Sequence, residues 1–132
     1  MKTWKVLLVD DEVEFVSTLA ERLGLRDLHV DVANSGEQAL SQIEADPPSV
    51  VVLDVMMPGM SGFAVLERIK SMHPDIEVIL LTGMGAANEG MAGLRQGAFD
   101  YLVKPLDLEE LIQKIGEAMK KSAGRTRKHD GQ

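Results

Sequence analysis

Five short apolar runs, each followed by a stretch with helical periodicity, constrain this chain more than any other feature. Val6-Leu7-Leu8-Val9, Val50-Val51-Val52-Leu53, Val78-Ile79-Leu80-Leu81 and Tyr101-Leu102-Val103 are continuous enough to predict strands buried on both faces of a sheet. Leu28-His29-Val30-Asp31-Val32 alternates apolar with polar residues, which places it at a sheet edge. Strands alternating with helices build βαβ units, and hence a parallel α/β sheet covered on both faces by right-handed crossovers.

The helices between these runs are bounded by their own chemistry. Phe15, Val16, Leu19, Ala20 and Leu23 form one stripe that stops near Gly24. Ser35 with Gln38 makes a capping-box pattern ahead of Ala39, Leu40 and Ile43, and Pro47-Pro48 forbids further helix. Ser61 caps a third helix carrying Val65, Leu66, Ile69 and Met72. Asp107 with Glu110 opens a fifth, which buries Leu108, Leu111, Ile112, Ile115 and Met119. The fourth, near Ala86 to Gln96, reads as the least rigid: Gly90 and Gly93 each cost about 1 kcal/mol against alanine, leaving Met91 and Leu94 as its anchors. Gly97 is placed to end it in a left-handed conformation.

A length of 132 residues suits one hydrophobic core. We read 1–121 as a single domain and 122–132, a basic and polar stretch without large apolar residues, as a tail or the start of a linker. The net charge of −7 is uneven, because Lys120 to Gln132 holds five of the 14 basic residues and one of the 21 acids. The body is therefore anionic and is expected not to contact nucleic acid, whose phosphates reward clustered Lys and Arg. The absence of cysteine removes disulfides and thiolate zinc sites from consideration. The N-terminal apolar run is too short for a signal peptide or a membrane span, so the expected location is the cytoplasm, away from membranes.

Functional groups in open parallel sheets gather beyond the carboxyl ends of the strands. Here strand one ends in Asp10-Asp11, strand three in Asp54, strand four in Thr82 and strand five in Lys104-Pro105. Each alone has a plain explanation as a turn, cap or solvated residue. Three carboxylates, a hydroxyl and an ammonium at one edge point jointly to a site. Carboxylates crowded together raise one another's pKa unless a cation joins them, and all-oxygen ligands with room for water suit Mg²⁺, or Mn²⁺ in its place.

The segments VLLVDDE, VVLDVMMPGMSG, ILLTG and GAFDYLVKP, in this order and spacing, resemble the signature segments of response-regulator receiver domains over roughly residues 4 to 120. The resemblance implies a flavodoxin-like sheet of strand order 2-1-3-4-5 with five helices. It also implies that Asp54 is the phosphoacceptor, that Asp10 and Asp11 position the metal, and that the backbone carbonyl of Met56 completes the protein ligands. Lys104 would neutralise charge on the phosphoryl oxygens. Thr82 would donate its hydroxyl to the phosphorylated Asp54, letting Tyr101 turn inward and altering the face of helix four, strand five and helix five. Implied partners are a histidine kinase or histidine phosphotransfer protein and an output domain or protein; a phosphorylation-dependent dimer is compatible with the family. Such a module is not an enzyme, beyond catalysing its own phosphorylation and dephosphorylation.

Pro58 and Gly62 are read as structural, with proline stiffening the loop after Asp54 and glycine permitting a backbone shape other residues resist. Met56 and Met84 would flank the pocket with apolar bulk, predicting slow loss of phosphate. His29, His73 and His129 are scattered and form no ligand set. Three rivals remain. A metal-dependent phosphatase is opposed by DDEVE where DxDxT is expected; a flavin module is opposed by three consecutive acids in its first loop. A receiver-like interaction module without phosphorylation is opposed by the complete set of acceptor-site residues.

Overall fold

The computed structural model describes residues 5–83 and 87–130. Strands and helices alternate strictly along the chain: β1 Lys5–Val9, α1 Val13–Gly24, β2 His29–Ala33, α2 Gly36–Ala45, β3 Val50–Asp54, α3 Gly62–Met72, β4 Glu77–Thr82, α4 Ala87–Arg95, β5 Asp100–Val103 and α5 Leu108–Asp130. The strands form one parallel sheet in the order β2-β1-β3-β4-β5, as the resemblance implied.

Period-two alternation along the strands divides the core into two halves. Leu7, Val9, Val51, Leu53, Val78 and Leu80 face α2 and α3. Val6, Leu8, Val50, Val52, Ile79 and Leu81 face α1 and α5, meeting Val16, Leu19, Leu23, Leu111 and Ile115. Both faces of β1, β3 and β4 are thus buried, which is why those segments are apolar without interruption.

The caps form as their sequences require. Ser35 Oγ accepts from the Gln38 amide at 3.1 Å, while the Gln38 side chain turns back to accept from the Asn34 amide, one residue before the cap. Ser61 Oγ accepts from Ala64 N–H at 3.3 Å, and Asp107 Oδ1 accepts from both Glu109 and Glu110 N–H.

Four expectations need correction. β5 is an edge strand, with Tyr101 half-buried and Val103 41% exposed, rather than a strand covered on both faces. In α4 it is Gly90 and Gly93 that are buried, while Met91 is exposed and Leu94 only partly covered. A Cβ on Gly93 would meet Leu80 Cδ1 at 2.0 Å and one on Gly90 would meet the Tyr101 ring at 2.5 Å, so these glycines bring the helix backbone close to the sheet. Gly62 serves close approach too: a Cβ there would lie 2.4 Å from the Asp54 carbonyl oxygen. The positive φ in that loop belongs to Gly59, at 77°. Finally, α5 continues to Asp130 instead of stopping near residue 121. Ser122 extends the buried stripe of Leu111, Ile115 and Ala118, and Glu77, fully buried at the start of β4, lies 3.8 Å from Lys121 Nζ. Gly97 ends α4 with a φ of 104°, in the region expected for it.

Candidate functional site

Parallel pairing delivers the polar residues to one edge. Val9 pairs with Leu53 and Asp54 with Leu81, so Asp10, Asp54 and Thr82 emerge side by side from β1, β3 and β4. The Lys104 amide donates to the Thr82 carbonyl at 2.8 Å and brings the end of β5 alongside.

Asp10 is 1% exposed and both of its carboxylate oxygens are engaged. Oδ1 accepts from the Glu12 amide at 2.9 Å, a local turn that opens α1, and Oδ2 accepts from Lys104 Nζ at 2.8 Å. Lys104 Nζ also donates to Glu12 Oε1 at 3.0 Å, sits 3.8 Å from Asp54 Oδ2, and lies 4.6 Å from the centre of the Phe15 ring. Burial works to lower its pKa, but the hydrogen bonds it donates to Asp10 and Glu12, with the charges of Asp10 and Asp54, outweigh this and raise it.

Asp54 is nearly buried, and its Oδ1 accepts a 3.3 Å hydrogen bond from Met56 N–H. Burial, reinforced by the negative charge of Asp10, pushes its carboxyl up to about 6, against the pull of Lys104 and the Met56 amide. Thr82 is fully buried, and among the described residues its hydroxyl has no hydrogen-bond partner. An orphaned buried hydroxyl is uncommon and costs stability, so it calls for an explanation.

Carboxylate oxygens of Asp10, Glu12 and Asp54 lie within 4.8 Å of one another, a hard, all-oxygen set that fits a small divalent cation. Of the residues singled out from sequence, Asp10, Asp54 and Lys104 come together here. Asp11 stands partly exposed outside that tight group, though its charge contributes to raising Asp54. Glu12 is the member sequence reading passed over; its only signal was its place directly after two acids. Tyr101 packs half-buried against the α4 side of the core. Met56 is 66% exposed beside the site, and Met84 lies outside the described residues.

Comparisons with known proteins agree with this geometry. Residues 6–116 match the model of the response regulator receiver domain. The chain is 36% identical over 118 residues to the response regulator MprA of Mycobacterium leprae, covering 89% of this chain and 52% of that protein. It is 37% identical over 122 residues to the probable transcriptional regulator ycf27 of Cyanophora paradoxa, covering 92% of this chain and 51% of that protein. Among solved structures, the receiver domain of NtrX from Brucella abortus superposes with a TM-score of 0.84 at 31% identity, covering 87% of this chain and 98% of that one. A structure described as adenylate cyclase from Rhodopirellula baltica gives a TM-score of 0.92 at 30% identity, covering 98% and 96%.

A five-stranded parallel sheet of this order, with acids, hydroxyl and lysine gathered at its carboxyl edge, defines the class of receiver-type α/β domains. The chain belongs to the response regulator receiver domain family. It spans about half the length of the curated relatives it matches. No helix among the described residues is long and apolar enough to cross a membrane.

Proposed function

We propose that the domain takes a phosphoryl group onto Asp54 from the histidine of a partner kinase or phosphotransfer protein. The observation that carries this reading is the pairing of a nearly buried, raised-pKa Asp54 with Lys104 at 3.8 Å, beside a buried hydroxyl with no partner among the described residues. An Asp54 carboxylate oxygen forms a bond to phosphorus as the P–N bond to the donor imidazole breaks. The bonding pair stays on the ring nitrogen, which takes up a proton. Lys104 is placed to neutralise charge on the phosphoryl oxygens, and a preformed cation in a partly desolvated site is the economical way to do so.

Asp10 and Asp54, with Asp11 and the Met56 carbonyl implied by resemblance, would hold Mg²⁺ or Mn²⁺, while Glu12 is engaged by Lys104. When bound, such an ion supplies further charge neutralisation. Once Asp54 is modified, the Thr82 hydroxyl would gain the acceptor it lacks among the described residues, drawing the end of β4 inward. Tyr101 and the α4–β5–α5 face would carry that change to an output element or a second copy. Residues 1–121 would form the body of this signalling unit, with α5 running on from it through Ser122 to Asp130.

The test is intact-mass analysis after incubation with acetyl phosphate and Mg²⁺. One added phosphate is expected in the parent and none in Asp54→Asn. Equal uptake by both proteins would refute the acceptor assignment.

A further inference from the structure

One ammonium, that of Lys104, is shared by three carboxylates, and the three are unequal. Asp10 Oδ2 at 2.8 Å and Glu12 Oε1 at 3.0 Å are hydrogen-bonded to it; Asp54 Oδ2 at 3.8 Å is beyond that reach. Asp10 is buried and also tied to the Glu12 amide, whereas the Glu12 side chain is 63% exposed. The Phe15 ring, 4.6 Å from Nζ, flanks the ammonium and supports its position.

We propose that Glu12 is a positioning residue for Lys104, a releasable tether that holds the ammonium on the Asp10 side of the site and out of hydrogen-bond reach of Asp54. The inference deepens the phosphoacceptor reading and rests on it for its kinetic part. A lysine that assists transfer must bring its charge to the oxygens on Asp54, and so must leave one of its present partners. Leaving Asp10 would strand a buried carboxylate, which is costly. Leaving Glu12 returns an exposed carboxylate to water, and exposed ion pairs are worth little. Glu12 is therefore the contact that yields, and its strength sets how readily Lys104 reaches the acceptor. Because the pair is exposed, its removal should leave folding intact.

Two measurements test this, one of them independent of phosphorylation. In a crystal structure of Glu12→Ala, Lys104 Nζ should move to about 3 Å from Asp54 Oδ2 while keeping Asp10, the distance of an ordinary hydrogen bond. An ammonium left in its parent position overturns the proposal, whatever the domain does with phosphate. Kinetically, uptake from acetyl phosphate should be about 2- to 5-fold faster in Glu12→Ala, a step the size of an exposed pair, with Glu12→Gln intermediate. In a Lys104→Ala background the same Glu12 substitutions should no longer accelerate uptake. If they accelerate uptake equally there, Glu12 acts only by repelling the anionic donor, and the proposal fails. If no variant or parent takes phosphate, the acceptor reading fails, and the crystal structure alone decides the position of Lys104.

Discussion

The two halves of the site are in opposite states of satisfaction. On the β1 and β3 side, Asp10 has both oxygens engaged and Asp54 has an amide and a nearby ammonium. On the β4 side, Thr82 buries a hydroxyl with no partner among the described residues, next to a helix that meets the sheet through two glycines. The difference separates two tasks. Under the proposed reading the acidic half is largely built before phosphate arrives, so that only the exposed Glu12 contact of Lys104 has to yield. The hydroxyl half holds a donor without an acceptor among the described residues, and under the proposed reading that is where a conformational response begins.

The largest expected effect lies on the acidic side. Lys104→Ala should slow phosphate uptake by on the order of 10² to 10³, the usual consequence of losing one charge-stabilising donor. Stopped-flow or mass-based rates at fixed Mg²⁺ measure it, and a drop below about tenfold, or roughly 1.4 kcal/mol, would make this half much less important than its geometry suggests.

Next comes the pH dependence of stability. Asp54 titrates near 3.8 in an unfolded chain and at about 6 in the folded one. Between those values the native state holds the extra proton, so stability is highest at the acid end and falls as pH rises through the window, levelling above it. The loss should be on the order of 2 to 3 kcal/mol. Urea unfolding with a chelator present, compared between parent and Asp54→Asn from pH 4 to 7, isolates this contribution. Parallel curves for the two proteins would show that Asp54 is not strained by its surroundings.

On the other side, Gly90→Ala places a methyl 2.5 Å from the Tyr101 ring, which must shift. Overpacking costs roughly 1 to 3 kcal/mol, and about 1 is returned by alanine's helix propensity, leaving a net loss of about 1. The sharper readout is the set of Tyr101 ring resonances, which should move in the unmodified protein. Thr82→Val should have the smallest effect on stability and an unusual sign. Replacing a buried hydroxyl that has no partner among the described residues with a methyl of similar volume should be neutral or stabilising by up to about 1 kcal/mol in thermal unfolding. A loss larger than that would reveal a hydrogen bond to Thr82 in the resting protein.

The same contrast explains what could be read from sequence. Buried strands and caps are local: Val50 to Leu53 declares itself by composition, and Ser35, Ser61 and Asp107 by position. Asp10, Asp54, Thr82 and Lys104 were legible because parallel strands bring their ends to one edge, and their signature spacing sharpened the reading. Glu12 was not, because an exposed acid after two others carries no periodicity, and its partner lies 92 positions away. Gly90 and Gly93 looked like weak helix formers, since propensity says nothing of the Tyr101 ring and Leu80 pressed against them. The exposure of β5 depends on strand order, which the three-residue apolar run cannot encode. The extension of α5 past residue 121 depends on tertiary cover for Ser122, which a basic and polar composition conceals.

The division of labour between the halves can be tested in one NMR comparison. Spectra of the parent and of Thr82→Val are recorded with Mg²⁺, before and after adding beryllofluoride as a phosphoryl mimic on Asp54. The account predicts that both proteins bind the mimic, with shifts at Asp10 and Met56, but that the Tyr101 ring moves only in the parent. An equal Tyr101 response in Thr82→Val would contradict it, because the change would then reach β5 without the Thr82 hydroxyl.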